Sequence, residues 1–140
     1  MSINIKQTTK EKLSAILGII IFFAVCVLVV ALNEIIDVEC VKSQNICTVY
    51  SHKAFQPREV TEMFKISEVM YGEVVKERTT GKNRHTYYNV VLKFKSGQSL
   101  NLYNINFRKS ENAYKFINRI QDREDFYFKG NFIKSFFDLY

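Results

Sequence analysis

Several residue types are scarce in this sequence, and their scarcity narrows the class of protein. The chain has one proline, five glycines and no tryptophan. So few prolines and glycines, without any tract of biased repeats, argue against a disordered chain or a long flexible linker. Apart from one apolar run near the N-terminus, the sequence therefore predicts a single compact domain.

Residues that build catalytic and metal sites are also few. The chain has three cysteines and two histidines, His52 and His85. Each histidine adjoins a lysine or an arginine in a predicted loop or strand end, where a solvated side chain is the expected state. The sequence Thr80-Gly81-Lys82 lacks the spacing of a phosphate-binding loop. We therefore predict a protein that is not an enzyme and that uses no cofactor or metal.

The chain is only mildly basic. Its formal net charge is +6 at pH 7, and residues 1–12 contribute +2 of it through three lysines and one glutamate. The rest of the basic excess is spread along the chain, so the charge pattern does not indicate nucleic-acid binding.

The dominant feature is an apolar run from Leu13 to Leu32, in which Ser14 is the one conventionally polar residue. As a helix, this run would extend about 30 Å, the thickness of the hydrocarbon core of a bilayer. The sequence thus predicts a polar head over residues 1–12, a transmembrane helix over 13–32 and a folded domain with an aromatic C-terminal tail over 33–140.

The charges that flank this run predict its orientation. Three lysines precede it, whereas Glu34, Asp37 and Glu39 follow it before the next basic residue, Lys42. Because basic residues favour the cytoplasmic side, we predict a single-pass protein of the cytoplasmic membrane with its N-terminus in the cytoplasm and its C-terminal domain outside. The run is longer than the hydrophobic region of most signal peptides, although cleavage after Ala31 is an alternative.

A β-hairpin is predicted directly after the apolar run. Val38 and Cys40 alternate before the polar residues 43–45, and a strand pattern resumes over 46–50. Cys40 and Cys47 can then lie opposite each other on neighbouring strands, and an oxidising compartment favours a disulfide between them. Two free thiols and a metal pair are the alternatives.

Further strands are predicted along the domain. Residues 51–60 contain the only proline and predict a connection between strands. Strand patterns follow over 64–77, 87–95 and 99–107. Gly72, within the first of these, indicates a bulge or a sharp bend. Five or six short antiparallel strands favour a strongly bent sheet or a small barrel.

The last part of the chain is predicted to be a helix followed by an aromatic tail. From Ser110, a good N-cap, apolar residues recur at helical spacing and predict a helix to Arg123. The tail from Asp125 carries seven aromatic residues among sixteen. If the chain is helical from Asn131, four aromatic residues share one face: Phe132, Phe136, Phe137 and Tyr140. This face would either pack on the protein's own sheet or contact a partner or the membrane interface.

Several short motifs resemble those of bacterial membrane-anchored proteins with a pleckstrin-homology-like (PH-like) domain. The motifs are Val38-Glu39-Cys40 with Ile46-Cys47-Thr48-Val49, then Ile66-Ser67-Glu68-Val69, then Tyr88-Asn89-Val90-Val91-Leu92 with Ser96-Gly97 and Leu100-Asn101-Leu102. They lie within residues 36–123. The resemblance implies an α+β fold in which a bent antiparallel sheet or small barrel is closed by a C-terminal helix, and it implies no catalytic residues.

Two kinds of surface are candidate binding sites. Four basic residues flank a predicted hairpin turn and could contact the phosphates of anionic lipids, although a solvated hairpin is the simpler interpretation: Lys76, Arg78, Lys82 and Arg84. A sheet edge or the aromatic tail could bind a segment of another protein. We predict a membrane-anchored, non-enzymatic interaction module that binds an envelope protein or peptide. Anionic-lipid recognition and envelope immunity are the alternatives, and the sequence assigns no oligomeric state.

Overall fold

A computed structural model describes residues 4–80, 85–102 and 105–130, with side chains from Lys10 onward. The protein is an α+β structure with an apolar N-terminal helix, two antiparallel sheets and a second helix that precedes the last strand. The chain divides into two compact units, Met1–Leu32 and Asn33–Tyr140. At this level of detail the predicted fold class is confirmed.

Helix α1 spans Asn4–Leu32. Its segment Lys10–Leu32 has 23 residues. In the most apolar 18 residues of this segment, no residue is buried by the rest of the protein. At the rise of an α-helix, this segment extends about 35 Å, enough to cross the hydrocarbon core of a bilayer. By length and composition, α1 is a membrane span or a signal sequence.

The first sheet contains four antiparallel strands: β1 (Glu34–Val41), β2 (Ile46–Lys53), β3 (Glu59–Lys65) and β7 (Phe126–Phe128). Their order in the sheet is β3-β2-β1-β7. The predicted hairpin is confirmed, because Cys40 lies opposite Cys47 and the two form a disulfide. Asn45 closes the turn with a φ of 57°, a left-handed conformation that asparagine adopts more readily than most residues.

The predicted connection over residues 51–60 is wrong at both ends. Strand β2 continues to Lys53, and β3 begins at Glu59. The reason is that β3 buries almost nothing: Phe64 is half-buried and its other residues are exposed. Because the side chains on both faces of β3 are mostly exposed, the alternation of apolar and polar residues that marks a strand is weak.

The second sheet contains β4 (Val69–Arg78), β5 (Thr86–Phe94) and β6 (Ser99–Asn101), in the order β4-β5-β6. The single strand predicted over 64–77 is therefore two strands in different sheets. They are separated by a 3₁₀ turn, Ile66–Glu68, which has the same apolar–polar alternation as a strand.

Gly72 does not mark the bulge that its position indicated, because the register of β4 and β5 shifts between Val69 and Tyr71. The glycine instead allows close packing. A Cβ atom at position 72 would lie 2.6 Å from Cγ2 of Ile117 in the second helix.

The last strand of the second sheet is shorter than predicted. It ends at Asn101, whereas the sequence pattern extended to residue 107. Leu102, Ile105 and Phe107 are all buried, and the amide of Ile105 donates to the carbonyl of Leu102 at 2.9 Å. The chain thus turns after β6, and a single bridge between Phe107 and Tyr88 returns it to β5.

Helix α2 spans Ser110–Gln121, so it begins where predicted and ends before Arg123. Lys109, not Ser110, is the N-cap residue, and its side chain makes no capping bond. On the exposed side of α2, Lys115 Nζ lies 2.6 Å from Glu111 Oε1. That hydrogen bond lowers the pKa of Glu111.

Lys42, in the β1–β2 turn, caps the other end of α2. Its Nζ donates to the carbonyl of Arg119 at 3.2 Å and to the carbonyl of Ile120. Burial lowers the pKa of Lys42, and the nearby carboxylates of Asp122 and Asp125 oppose this shift. The lysine therefore joins the first sheet to the helix C-terminus, where a cation also complements the helix dipole.

The core joins both sheets to α2. Helix α2 contributes the apolar face that its sequence predicts: Ala113, Phe116, Ile117 and Ile120. Strand β7 was not predicted, and its rings pack against that face. Phe126 and Phe128 lie 5.5 Å and 5.1 Å from the ring centre of Phe116. This part of the aromatic tail therefore packs on the protein itself.

Candidate functional site

Two strand edges border an open groove in the second unit. Within the described residues, β3 pairs only with β2, and β6 pairs only with β5. Residues of β3 and β6 line the same two cavities. This region, bounded by β3 on one side and β6 on the other, is termed the β3–β6 groove.

The smaller of the two cavities in the groove reaches the core. The cavities have volumes of about 210 Å³ and about 410 Å³, and both are lined by Glu62 of β3 and Leu100 of β6. The smaller cavity is also lined by four buried core residues: Ile36, Val49, Leu102 and Ile105. The larger is lined by Phe64 and Phe94, whose ring centres are 5.5 Å apart. Apolar side chains of an occupant would therefore contact the core in the smaller cavity, and the two phenylalanine rings in the larger cavity, whose other lining residues are mostly polar.

The hydrogen-bond register shows which main-chain groups of β3 face the groove edge. The amide of Ile66 donates to the carbonyl of Asn45 at 3.1 Å, in line with the register that pairs Phe64 with Cys47. Because antiparallel residues alternate between bonding to the partner strand and pointing away from it, the N–H and C=O groups of Met63 and Lys65 point away from β2. Within the described part of the chain, the N–H and C=O groups of Met63 and the N–H of Lys65 are available to an incoming strand, whereas the carbonyl of Lys65 begins the 3₁₀ turn Ile66–Glu68.

The end of β3 is held in place by the β1–β2 turn. The side-chain amide of Asn45 donates to Ser67 Oγ at 2.7 Å, and the backbone amide of Ser67 donates to Asn45 Oδ1 at 2.9 Å. The next residue, Glu68, accepts a hydrogen bond from the amide of Lys95 through its carbonyl at 2.9 Å. These bonds fix the corner at which the chain passes from one sheet to the other.

The groove is acidic. Glu34, Glu62 and Glu68 line it, and neither cavity is lined by a lysine or an arginine in the described part of the chain. Glu34 accepts a hydrogen bond from Ser51 Oγ, and Lys65 Nζ lies 4.0 Å from Glu68 Oε1. Glu62 makes no hydrogen bond or ion pair with any described residue. It lies opposite Val49 in the register and is therefore on the core side of the sheet.

This combination suits an extended peptide. A strand that adds to a sheet edge gains main-chain hydrogen bonds, and pockets for alternate side chains give it specificity. The exposed edge of β3 offers the hydrogen-bonding groups, and the two cavities offer the pockets. Within the described residues, no group of three or more histidine, cysteine, aspartate or glutamate side chains could hold a metal ion.

A second polar cluster lies on the opposite face of the first sheet, around Asp37. This carboxylate is 1% exposed. Its Oδ1 accepts a 2.8 Å hydrogen bond from the amide of Gly130, and its Oδ2 lies 3.5 Å from His52 Nε2 and 3.7 Å from Arg58 Nη1. Arg58 also donates to the Tyr127 hydroxyl at 3.2 Å. The expectation that His52 is solvated is thus wrong, because its side chain is 18% exposed and faces a carboxylate.

The sequence-predicted site residues have three outcomes. The Cys40–Cys47 disulfide is confirmed, and both residues are buried. Lys76 and Arg78 are exposed two residues apart on β4, so they share one face of that strand. The other predicted contact residues lie outside the described residues: Lys82, Arg84, Phe132, Phe136, Phe137 and Tyr140.

The groove residues were not identified from the sequence. A sheet edge was a predicted binding surface, but Glu62 stands in a segment whose strand begins earlier than its pattern indicates. Leu100 and Leu102 fit an alternating strand pattern, and nothing in their spacing shows that they also border an opening. The sequence offers no signal for this position, because only the register of β3 with β2 shows that Glu62 lies on the core side of the sheet.

No protein family, curated protein or solved structure matches the chain. The geometry of the groove is therefore the basis for inferring function.

Proposed function

We propose that this chain is a single-span membrane protein whose extramembrane unit binds an extended segment of another protein by strand addition to β3. The observation that carries the proposal is the edge of β3, which pairs with no strand other than β2 in the described residues and borders two cavities, the smaller of which reaches the core. Binding of this kind requires no catalytic group, which is consistent with a non-enzymatic module.

The membrane assignment is supported by the length and exposure of the apolar segment Lys10–Leu32. The lysines before it and the acidic residues after it favour a cytoplasmic N-terminus and an extracytoplasmic domain in the cytoplasmic membrane. The Cys40–Cys47 disulfide favours the same orientation, because disulfides persist in oxidising compartments. On this basis the partner is an envelope protein or peptide.

The order of the elements supports the PH-like interpretation. Six strands precede an amphipathic helix that packs against β4 and β5, as expected from the resemblance. Strand β7 departs from that plan, because it follows the helix and extends the first sheet beside β1. We propose a PH-like domain in which β3 and β6 border the binding groove.

Strand β3 is a better candidate than the other edge strands. Strands β6 and β7 have three residues each, which offer few hydrogen-bonding groups to a partner. Strand β4 is longer, but it packs against α2 and carries charges of both signs. Strand β3 has seven residues and borders both cavities.

Anionic-lipid recognition is a second candidate. The exposed pair Lys76 and Arg78 on one face of β4 favours it. With the chain held in phosphatidylcholine nanodiscs, replacing both by glutamate should weaken its binding to vesicles that contain phosphatidylglycerol, and unchanged binding would exclude this pair. For an envelope immunity role, no residue in the described ranges supplies comparable support.

Lys65 allows a sharp test of strand addition. Its backbone has φ −82° and ψ 132°, close to the φ that proline imposes. Lys65→Pro would remove the outward N–H without breaking a bond to β2, and Lys65→Ala would remove the side chain but keep that N–H. Because proline is tolerated at a strand edge that faces solvent, both variants should fold.

The measurement is the affinity of the full-length chain, in phosphatidylcholine nanodiscs, for three labelled peptides, Thr-Val-Thr-X-Thr-Val-Thr with X as lysine, glutamine or glutamate. We expect Lys65→Ala to bind like the unchanged chain and Lys65→Pro to bind about fivefold more weakly, the equivalent of one lost hydrogen bond. Equal affinities of the two variants would contradict strand addition at β3. A concentration-dependent dimer that Lys65→Pro abolishes, without peptide binding, would assign the edge to a second copy of the chain.

A further inference from the structure

We infer that the segment bound in the β3–β6 groove carries a lysine or an arginine with apolar residues two positions before and after it. This inference rests on the proposed function and specifies its ligand. It follows from the position of Glu62 and from the two cavities that meet at that residue.

Glu62 is the central charge of the groove. It is on the core side of an edge strand, it lines both cavities, and within the described residues it has no partner. An inward-pointing charge on an edge strand discourages pairing with an arbitrary strand. A segment with a basic residue opposite Glu62 would overcome that barrier, whereas an acidic segment would be repelled.

The charges around Glu62 also favour a basic occupant of the groove. Glu34 lines the smaller cavity beside Glu62. Glu68 lines the larger one, where Lys65 lies 4.0 Å from it and Lys93 Nζ donates to Ser99 Oγ, so the acidic character is strongest around Glu62 and Glu34. The chain as a whole carries a net charge of +6, and the acidic groove is therefore a local departure from the overall charge. A polyanion or an acidic peptide would be disfavoured there, and a basic segment fits it.

The spacing of the apolar residues follows from strand geometry. Successive side chains of a strand point to opposite faces, so residues two apart face the same way. If the basic residue lies beside Glu62, its neighbours at two positions before and after it face the two cavities. These cavities present Ile36 and Leu102 on one side, and Phe64 and Phe94 on the other.

The three peptides of the preceding experiment test the charge. In nanodiscs of phosphatidylcholine, which carry no net charge, we expect the lysine peptide to bind about fivefold more tightly than the glutamate peptide, as for exposed charge pairs. Glu62→Gln should abolish most of this preference. Glu73→Gln, on an exposed position of β4, should leave it unchanged. Raising the salt concentration should also reduce the preference.

A fourth peptide tests the spacing. Thr-Thr-Val-Lys-Val-Thr-Thr has the same composition as the lysine peptide, but its valines adjoin the lysine and would face away from the cavities. We expect it to bind more weakly than Thr-Val-Thr-Lys-Thr-Val-Thr. Equal binding of both would overturn the spacing.

The outcomes separate this inference from the proposed function. Equal affinity for the lysine, glutamine and glutamate peptides, with no effect of Glu62→Gln, would overturn the preference for a basic segment. Strand addition would still stand if Lys65→Pro weakened that binding and Lys65→Ala did not. Failure of all four peptides to bind the unchanged chain would overturn both.

Discussion

The amide of Gly130 donates a 2.8 Å hydrogen bond to Oδ1 of Asp37, a carboxylate that is 1% exposed. The bond joins β1 to the chain that follows β7. The other carboxylate oxygen faces two cationic or protonatable groups, on His52 and Arg58. A buried carboxylate is stable only when such partners compensate for its lost hydration.

Asp37→Ala should therefore destabilise the second unit by about 2–4 kcal/mol, because it leaves the Gly130 amide and the two basic groups without their acceptor. Asp37→Asn should cost less, since its side-chain oxygen still accepts the Gly130 bond. Urea unfolding of the full-length chain in detergent measures both. The exposed Glu73→Ala is the control, and a loss of stability in Asp37→Ala no larger than in this control would show that Asp37 does not join these elements.

Helix α2 packs so closely against Gly72 of β4 that a side chain at this position should destabilise the protein. Gly72→Ala would place a Cβ 2.6–2.8 Å from three atoms of Ile117, and such overpacking costs about 1–3 kcal/mol. In the Ile117→Ala background, Gly72→Ala should lower the free energy of unfolding in urea much less, because the side-chain atoms of Ile117 that the new Cβ would meet are absent. The control is Gly18→Ala, where no atom lies within 4 Å of the new Cβ. If the losses of stability from Gly72→Ala and Ile117→Ala simply added in the double variant, the close contact between these two residues would be contradicted.

The disulfide should contribute measurably to stability. Cys40 and Cys47 are seven residues apart, and closing so short a loop is worth about 2–3 kcal/mol when the unfolded chain is constrained. We expect the free energy of unfolding in urea to be lower by this amount when a reductant is present. Cys26→Ser should respond to reductant in the same way, because Cys26 is outside the disulfide. Unchanged stability after complete reduction, verified by mass, would contradict the expectation.

The proposed orientation can be tested with new cysteines in a Cys26→Ser background. Cys40 and Cys47 are buried and would react poorly even when reduced, so the exposed Gln56→Cys is the better reporter of the domain. In intact cells, a membrane-impermeant thiol reagent should label Gln56→Cys but should label Ser2→Cys only after lysis. The reverse pattern would place the domain in the cytoplasm.

The elements that bury regularly spaced apolar residues on a core face were predictable from sequence. In the β1–β2 hairpin, β5 and α2 this spacing is that of a strand or a helix, although β1 also buries Ile35 and Asp37 on its other face. Strand β3 was not predictable in extent, because its side chains are nearly all exposed. Strand β7 was hidden in an aromatic run whose residues could equally suit a helix, and its place beside β1 depends on packing against Phe116.

The sequence predicted the kind of binding surface, a sheet edge, but not which strands form it. A sheet edge was an expected binding surface, but the edge strand follows from sheet order, which depends on contacts between residues far apart in the chain. The 3₁₀ turn at Ile66–Glu68, held by Asn45, decides that order by sending β3 and β4 into different sheets. No local pattern around Glu62 contains that information.

Residue-level hydrogen exchange, measured by NMR on the full-length chain in nanodiscs, tests strand addition at β3 most directly. In the free chain, the amides of Met63 and Lys65 should exchange rapidly and those of Glu62 and Phe64 slowly, because only the latter pair bonds to β2. Saturation with the lysine peptide should slow exchange at Met63 and Lys65. If these two amides stay unprotected while protection increases at another edge, such as β4, strand addition at β3 is contradicted.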